Sequence, residues 1–207
     1  MTDQAALHNA YAAGYDAQVA AYESYIAAAL FGLSYDFVRP GERLLDVGIG
    51  SGLAAAPFAR AGLHVSGMDF AAAMLDLCRA KGIAGDLRQH DLQRTPWPYA
   101  VAAFDHAICC GVFHFVPALA GPFGETRRVL RPGGVFAFTT KWPDASLPPG
   151  APFVRVAAGE LDMFSHAPED VRAELDAAGF AYLRLLRCFV GPDVFGVWVA
   201  RRGGGEP

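Results

Sequence analysis

The sequence predicts an α/β protein whose doubly wound, mostly parallel sheet has seven strands, helices on both faces and an antiparallel hairpin at the carboxyl end. The first supporting observation is that short apolar runs alternate with helical segments that end at glycine, as in successive βαβ units. The second is a glycine-rich loop, residues 48–52, between the first apolar run and the first helix. In doubly wound sheets this turn lies at the carboxyl edge, where ligands bind.

The amino-terminal segment is predicted to be a helical lid. Its apolar residues recur at spacings of 3, 4 and 4, which predicts one helical stripe. The members of the stripe are Val19, Tyr22, Ile26 and Leu30. Gly14 interrupts the helical pattern. We expect a lid over residues 1–37, a Rossmann-like domain over 38–202 and a flexible tail over 203–207.

The remaining elements follow from apolar runs and their bounding turn residues. Strands are predicted over residues 43–47, 64–69, 86–90, 104–110, 135–140, 180–190 and 194–201. Helices are predicted over 53–61, 71–81, 117–130 and 168–178. Residues 191–193, Gly-Pro-Asp, suit a tight turn, so the last two strands should form the hairpin. Four prolines within residues 142–155 predict that this stretch is a loop.

The composition indicates one globular domain. The chain has 207 residues, of which 53% are hydrophobic and 18% charged, too apolar for a disordered chain. Its 17 lysines and arginines against 21 aspartates and glutamates give a net charge of −4. Surfaces that bind nucleic acid are normally basic, so this balance disfavours a nucleic-acid partner and suits a small-molecule substrate.

The cysteines and the apolar runs indicate the cellular setting. The four cysteines have no CxxC or metal-ligand spacing, and they are Cys78, Cys109, Cys110 and Cys188. We expect reduced thiols in a cytoplasmic protein. No apolar run reaches the roughly 18 residues of a membrane span, and no set of carboxylates and histidines indicates a metal. The protein is expected to act as a monomer or homodimer.

Three of the predicted parallel strands end at an aspartate. Asp46 ends the first strand, Asp69 the second, and Asp91 follows the third. A carboxylate at the end of the second strand suits ribose hydroxyls, whereas Asp46 would repel a pyrophosphate and attract an ammonium group. The dinucleotide fingerprint also needs glycine at the position of Leu53. The pattern therefore disfavours a nicotinamide oxidoreductase. Capping of the next helix is the structural alternative for these carboxylates.

Five motifs together resemble class I S-adenosylmethionine-dependent methyltransferases. They are D-V-G-I-G-S-G at 46–52, M-D-F at 68–70, H-D-L at 90–92, E-T-R-R-V-L-R-P-G-G at 125–134 and an A-x-x-Y-D-like segment ending at Asp16. The likeness covers most of positions 13–200. It implies a Rossmann-like fold, S-adenosylmethionine as the cofactor and methyl transfer as the reaction.

The resemblance also implies the residues that bind the cofactor. Beside the methionine portion it places Tyr15, Asp46, Gly48, Gly50, and either Cys110 or the backbone of Gly111. Asp69 would bind the ribose hydroxyls and Phe70 would pack on the adenine, with Met74 nearby. Asp91 would accept from the adenine amino group, and the backbone of Leu92 would meet the ring.

The acceptor side is less clearly marked. The resemblance implies that His114 lies close to the transferred methyl group, and a pocket-wall histidine is the plain alternative. Tyr15 and His166 are the other candidate bases. Acceptor pockets of such folds are built by segments that correspond here to residues 1–37 and 141–166. These carry several aromatic residues, namely Tyr11, Tyr15, Tyr22, Trp142, Phe153 and Phe164. They favour a small, partly apolar acceptor.

Two other functions remain open from the sequence. A nucleic-acid or protein methyltransferase is one, although residues 109–113 lack the Asn/Asp-Pro-Pro-aromatic motif that holds a base amino group. A non-catalytic module that binds S-adenosylmethionine is the other. Binding without turnover would indicate that module.

Overall fold

The computed structural model describes residues 12–22, 24–143, 153–158 and 161–204. Within them one sheet contains nine strands: β1 Arg43–Val47, β2 His64–Asp69, β3 Asp86–Gln89, β4 Phe104–Cys109, β5 Leu130–Lys141, β6 Phe153–Ala158, β7 Leu161–His166, β8 Phe180–Val190 and β9 Asp193–Arg202. The α-helices are α1 Tyr15–Ala21, α2 Ile26–Ser34, α3 Ala56–Arg60, α4 Ala72–Lys81, α5 Ala120–Val129 and α6 Pro168–Ala177. Short 3₁₀ turns are Ala12–Gly14, Tyr35–Phe37 and Phe113–Phe115.

The predicted doubly wound topology is confirmed. Strands β3, β2, β1, β4 and β5 lie side by side in that order and are parallel. Strand β9 runs antiparallel along β5 from Val135↔Arg201 to Lys141↔Phe195, and β8 pairs antiparallel with β9. The five parallel strands therefore all end at one edge of the sheet, and the following turns meet there.

Two strands were not expected, so the predicted count of seven is too low. Strand β6 begins at Phe153, inside the stretch predicted to be a loop, and pairs antiparallel with β7. The prolines restrict only the residues up to 152, and the alternation that follows is too short to stand out. The β6–β7 pair joins the sheet where Ser165 meets Lys141 at the end of β5.

Each face of the sheet carries its own core. Phe136 and Phe138 of β5 pack with residues of α5 and α6, whereas Val135 and Ala137 pack with residues of α2, α3 and α4. This alternation follows the two-residue period of a strand. Helices on both faces are thus confirmed, and burial on both faces accounts for the nearly continuous apolar strands.

The amino-terminal segment is two helices rather than one stripe. Helix α1 ends at Ala21, and Tyr22 is 75% exposed, so the predicted stripe through this residue is wrong. Helix α2 packs onto the sheet with Leu30 fully buried among Val135 and Val197. Helix α2 therefore belongs to the body of the domain, and our lid proposal is restricted to the residues before it.

Strand β8 forms an edge of the sheet in the described part of the chain, because β9 is its sole partner there. Two of its arginines cover aromatic rings. The Arg184 guanidinium lies 4.6 Å from the Phe37 ring centre, and that of Arg187 lies 4.9 Å from the Trp142 ring. These cation–π contacts bind the edge strand to the segments that flank it.

Candidate functional site

The glycine loop is fixed to the end of β2 by its backbone. The N–H groups of Gly48 and Ile49 both donate to the carbonyl of Met68, at 2.8 and 3.0 Å. Asp46 precedes the loop at the end of β1 and Asp69 ends β2 next to it. The structure thus places both predicted carboxylates and the loop at one point of the carboxyl edge.

Two positions of the loop require glycine. Gly48 has φ +74°, and a Cβ there would lie 2.5 Å from a Val112 methyl carbon. Gly52 has φ +87°, and a Cβ there would lie 2.8 Å from Ile83 Cδ1. Gly50 has φ +53° with open space around it. The loop therefore packs tightly at both ends and leaves room for a ligand at its middle.

Asp46 is a buried carboxylate without a hydrogen-bond partner. Its side chain is 1% exposed, and among the described residues neither oxygen finds a donor. Burial, together with the charge of Asp69, raises the pKa of Asp46 well above its ordinary value. An unpaired buried carboxylate is costly, so this position fits a ligand that brings a cationic or donor group.

The Asp69 carboxylate is hydrogen-bonded to the backbone of the glycine loop and of the residue before α4. One carboxylate oxygen accepts from the Gly50 N–H and the other accepts from the Ala71 N–H, each at 2.9 Å. These bonds connect the loop to the start of α4. The bond to Ala71 closes a turn before α4, and this helix has no side-chain cap, so the structural alternative of helix capping is not what Asp69 does here. Binding of ribose hydroxyls by the remaining lone pairs stays a prediction.

Tyr15 lies among the acidic groups of the site. Burial, followed by proximity to Cys110, Asp69, Asp16 and Asp46, raises the pKa of Tyr15 to about 12. The phenol is therefore neutral at ordinary pH. Tyr15 lies at the start of α1, so the amino-terminal segment comes over the glycine loop.

Met74 supports Tyr15 from α4. It is buried in a small cluster with Ala12 and Ala71, and Tyr15 packs against this cluster. Met74 therefore lies next to the predicted site, although a direct contact with the adenine stays a prediction.

Sequence reasoning missed a polar cluster that joins three elements. The Ser51 hydroxyl donates to Asp16 Oδ1 at 2.5 Å. The Lys81 ammonium donates to Asp16 Oδ2 and, at 3.0 Å, to the Ser51 carbonyl. We name these residues the Asp16–Ser51–Lys81 cluster. Asp16 belongs to the Tyr-Asp motif, but nothing in the sequence pairs it with a lysine 65 positions away.

The residues predicted to contact the adenine bond to or pack against neighbouring parts of the protein. The Phe70 carbonyl accepts from the Gln89 side chain at 3.0 Å. Asp91 Oδ1 accepts from the Gln93 N–H at 2.9 Å, so this carboxylate caps its own turn. Leu92 is half-buried against the core. These three residues line up after β2 and β3 as expected, and their contacts with a ligand remain predictions.

The turn after β4 is held by β5. The Gly111 N–H donates to Thr139 Oγ1 at 2.8 Å, and Gly111 has φ +73°. Burial, then the charge of Asp46, raises the pKa of Cys110 to about 12. Cys110 is thus a neutral thiol close to Asp46, in the place predicted for the methionine arm.

His114 and His166 differ in what they can do. His114 is buried in the 3₁₀ turn after β4, with its ring centre 4.1 Å from that of Phe115 and 5.9 Å from that of Phe195. His166 is also buried, and its Nε2–H donates to the Phe113 carbonyl at 3.1 Å. Burial lowers the pKa of His166. His166 therefore fixes the turn that carries His114 and is poorly placed to be the base.

The predicted acceptor walls are only partly assembled. Trp142 lies under the Arg187 guanidinium, and Phe164 on β7 is half-buried. Tyr22 is exposed to solvent, so the prediction that it lines the acceptor pocket is wrong. Tyr11 and the side chain of Phe153 lie outside the described residues.

The described residues contain neither a cluster suited to a metal ion nor a helix suited to spanning a membrane. Among the described residues, no group of three His, Cys, Asp or Glu side chains is placed to hold a metal ion. No helix in that part of the chain is both long and apolar enough to cross a bilayer.

The chain is similar in sequence to known methyltransferases over part of its length. Residues 45–138 match the family model described as a methyltransferase domain. The chain is 31% identical over 176 residues to malonyl-(acyl-carrier protein) O-methyltransferase of Serratia marcescens, covering 85% of this chain and 61% of the relative. It is 36% identical over 132 residues to demethylmenaquinone methyltransferase of Beutenbergia cavernae, covering 61% of this chain and 50% of the relative.

A solved structure shares the fold over almost the whole chain. It is the Burkholderia thailandensis 1,6-didemethyltoxoflavin-N1-methyltransferase with bound 1,6-didemethyltoxoflavin and S-adenosylhomocysteine. The TM-score is 0.73 at 20% identity, covering 95% of this chain and 87% of that chain. By contrast, the chain spans between one half and two thirds of the length of the two curated relatives.

Proposed function

Because this chain contains a class I S-adenosylmethionine-dependent methyltransferase domain, we propose that it transfers a methyl group to a small, partly apolar acceptor. The observation that carries the proposal is Asp46, a buried carboxylate beside the glycine loop that has no hydrogen-bond partner within the described part of the chain. The methionine portion of the cofactor carries an ammonium group, and an ammonium beside Asp46 would offset the cost of its burial.

The residues around Asp46 fit the cofactor. Asp46 and the open backbone at Gly50 would hold the methionine portion, and Asp69 would hold the ribose while it keeps the loop in place. Phe70, Asp91 and Leu92 would contact the adenine. When bound, S-adenosylmethionine supplies a methyl group that its sulfonium already activates.

The protein's own contribution is then mainly alignment and exclusion of water. Tyr15 lies near Asp46 and Asp69 as a neutral phenol, so it would cover the bound cofactor and donate a hydrogen bond without adding charge. An acceptor held in line with the methyl group gains the large rate advantage of proximity. An acceptor that must lose a proton also needs a base, and we propose His114, which lies in the turn after β4, whereas His166 Nε2 is occupied by the Phe113 carbonyl.

Three observations support a small acceptor. The described acceptor region offers Trp142, Phe164 and Phe195, and pockets for small ligands are mostly apolar. The net charge of −4 is unfavourable for a polyanion. The Beutenbergia and Burkholderia relatives are named for small organic acceptors.

Calorimetry tests the cofactor. We expect S-adenosylhomocysteine to bind with micromolar affinity, about 8 kcal/mol, and NAD to give no heat. Binding of NAD without binding of S-adenosylhomocysteine would overturn the proposal.

Turnover separates the competing functions. Release of S-adenosylhomocysteine is measured with three sets of acceptors: small phenols, quinols and carboxylic acids; oligonucleotides; and basic peptides. We expect release with the first set. Release confined to the other two sets contradicts a small acceptor, and binding without release in any set indicates a non-catalytic module.

A further inference from the structure

We propose that Lys81 is a positioning residue that holds Tyr15 over the cofactor site through the Asp16–Ser51–Lys81 cluster. The inference rests on the proposed cofactor site, and it adds a residue that lies outside that site. Lys81 is the last residue of α4, and its ammonium bridges α1 and the glycine loop.

The cluster joins the lid to the loop. Ser51 is 1% exposed and lies between Gly50 and Gly52, where the loop packs tightly. Its hydroxyl donates to Asp16, and its carbonyl accepts from Lys81. Asp16 therefore receives two hydrogen bonds from residues that do not belong to the lid. Despite the opposing effect of burial, these bonds lower the pKa of Asp16, so its carboxylate is ionised at neutral pH.

Helix α1 depends on these contacts for its place. It has seven residues and none is fully buried. Helices this short are not stable alone, and most helical stability in proteins comes from packing. The described contacts that fix its first turn are the packing of Tyr15 near Met74 and the bonds of Asp16. Loss of the cluster should therefore release Tyr15 while the sheet and its core stay intact.

The ion pair itself is only partly exposed. The side chains of Lys81 and Asp16 are 31% and 41% exposed, and Asp16 receives a hydroxyl bond in addition. A shared carboxylate with charge-assisted bonds is stronger than an isolated surface pair. Helix α4 also provides a matched comparison, since Arg79 and Asp76 form an ion pair with 60% and 72% exposed side chains.

The first experiment compares Lys81→Met with Arg79→Met by calorimetry with S-adenosylhomocysteine. We expect Lys81→Met to raise the Kd about fivefold to twentyfold, as expected for loss of charge-assisted bonds, while Arg79→Met leaves it unchanged. Lys81→Arg should restore most of the affinity, because it keeps the charge and the reach. Asp16→Asn tests the same contact from α1 and should weaken binding in the same direction.

A second measurement excludes a merely structural role. The melting temperature without ligand should stay within about 3 °C of the parent, since partly exposed pairs contribute little to stability. Hydrogen exchange of residues 12–22 with ligand bound should be faster in Lys81→Met. An unchanged Kd contradicts the proposal. A raised Kd together with a melting temperature lowered by more than about 3 °C also contradicts it, because that result indicates a merely structural role.

The route through Tyr15 is tested in a Tyr15→Ala background. If Lys81 acts by holding this ring, Lys81→Met should change the Kd less than twofold there, because its effect would be lost with the ring and the two substitutions would not be additive. The same factor in both backgrounds would mean that Lys81 acts on the loop alone, and the inference would be wrong. Failure of the parent protein to bind S-adenosylhomocysteine would instead overturn the proposed function.

Discussion

The buried carboxylate of Asp46 lowers the stability of the ligand-free protein, and a bound cationic ligand would offset this loss. It is buried next to Asp69 and finds no hydrogen-bond donor among the residues that the structure describes, so its charged form is disfavoured. A fold that raises the pKa of an acid is destabilised by that acid above the raised pKa. The penalty begins to shrink as the pH falls through the raised pKa and is gone below the ordinary pKa of an aspartate, because between the two values the folded state binds the proton more tightly than the unfolded state.

We therefore expect Asp46→Asn to stabilise the ligand-free protein at pH 8 and to weaken cofactor binding at least tenfold, the loss of about one charged hydrogen bond. The gain in melting temperature should shrink as the pH is lowered. Thermal unfolding between pH 5 and pH 8 and calorimetry with S-adenosylhomocysteine measure the two effects. Asp76→Asn, at an exposed carboxylate of α4, is the control. A lower melting temperature together with unchanged binding would contradict this account.

The location of a single residue in the fold was predictable where its position in a strand pattern determines it. Asp46 and Asp69 end parallel strands, so their meeting at the carboxyl edge follows from the strand pattern. The bonds of Asp69 to Gly50 and Ala71 depend on how the loop folds, which the pattern does not contain. The pairing of Asp16 with Lys81 depends on the packing of α1 across 65 residues, and local spacing carries no signal for it.

At the scale of elements, buried central strands were the most predictable. The bounds predicted for β1 and β2 match the structure to the residue, because each strand is an apolar run between turn residues. The β6–β7 pair was missed because β6 follows a proline-rich stretch, and because the pair joins the parallel sheet only where Ser165 of β7 meets Lys141.

The loop between β3 and β4 is held by a side-chain network on α5. Glu125 Oε2 accepts from the Trp97 N–H at 2.6 Å, and Arg128 donates to the carbonyls of Tyr99 and Trp97 at 2.8 and 3.0 Å. The Arg128 guanidinium lowers the pKa of Glu125. The E-x-x-R part of the predicted motif thus fixes the segment that follows Asp91.

We expect Arg128→Met to loosen residues 92–99 and to lower stability by about 1–3 kcal/mol, since it removes the donor to two carbonyls and the guanidinium that pairs with Glu125. Hydrogen exchange should become faster in that segment while β1 and β2 stay protected. Arg94→Met, at an 82% exposed side chain, should change neither quantity. Equal protection of residues 92–99 in both variants would show that the network does not hold the loop.

On the scale of the whole molecule, the two amino-terminal helices should be separable. Helix α2 carries Leu30 into the core, whereas α1 has no fully buried residue. Removing α2 would expose Ile26 and Leu30 together with the core side chains they cover. At about 2–5 kcal/mol for each deleted core side chain, that loss approaches the whole stability of a domain.

A truncated protein that begins at Ser24 should therefore keep its melting transition but bind S-adenosylhomocysteine at least tenfold more weakly, because Tyr15 and Asp16 are gone. One that begins at Tyr35 should not give a cooperative transition. Circular dichroism and calorimetry on the two proteins check both expectations. If the protein that begins at Ser24 binds S-adenosylhomocysteine with full affinity, the residues before α2 are not a lid over the cofactor site.

The arginines of the edge strand have a consequence for behaviour at high concentration. An uncovered strand edge offers free N–H and C=O groups to a second molecule, and natural proteins block such edges with charged side chains. Arg184 and Arg187 lie over Phe37 and Trp142, which keeps their charges close to the flank of β8. We therefore expect the two arginines to oppose β-pairing between molecules. Exchanging both for alanine should turn β8 into a site of self-association, visible as light scattering on concentration of a protein that is still folded.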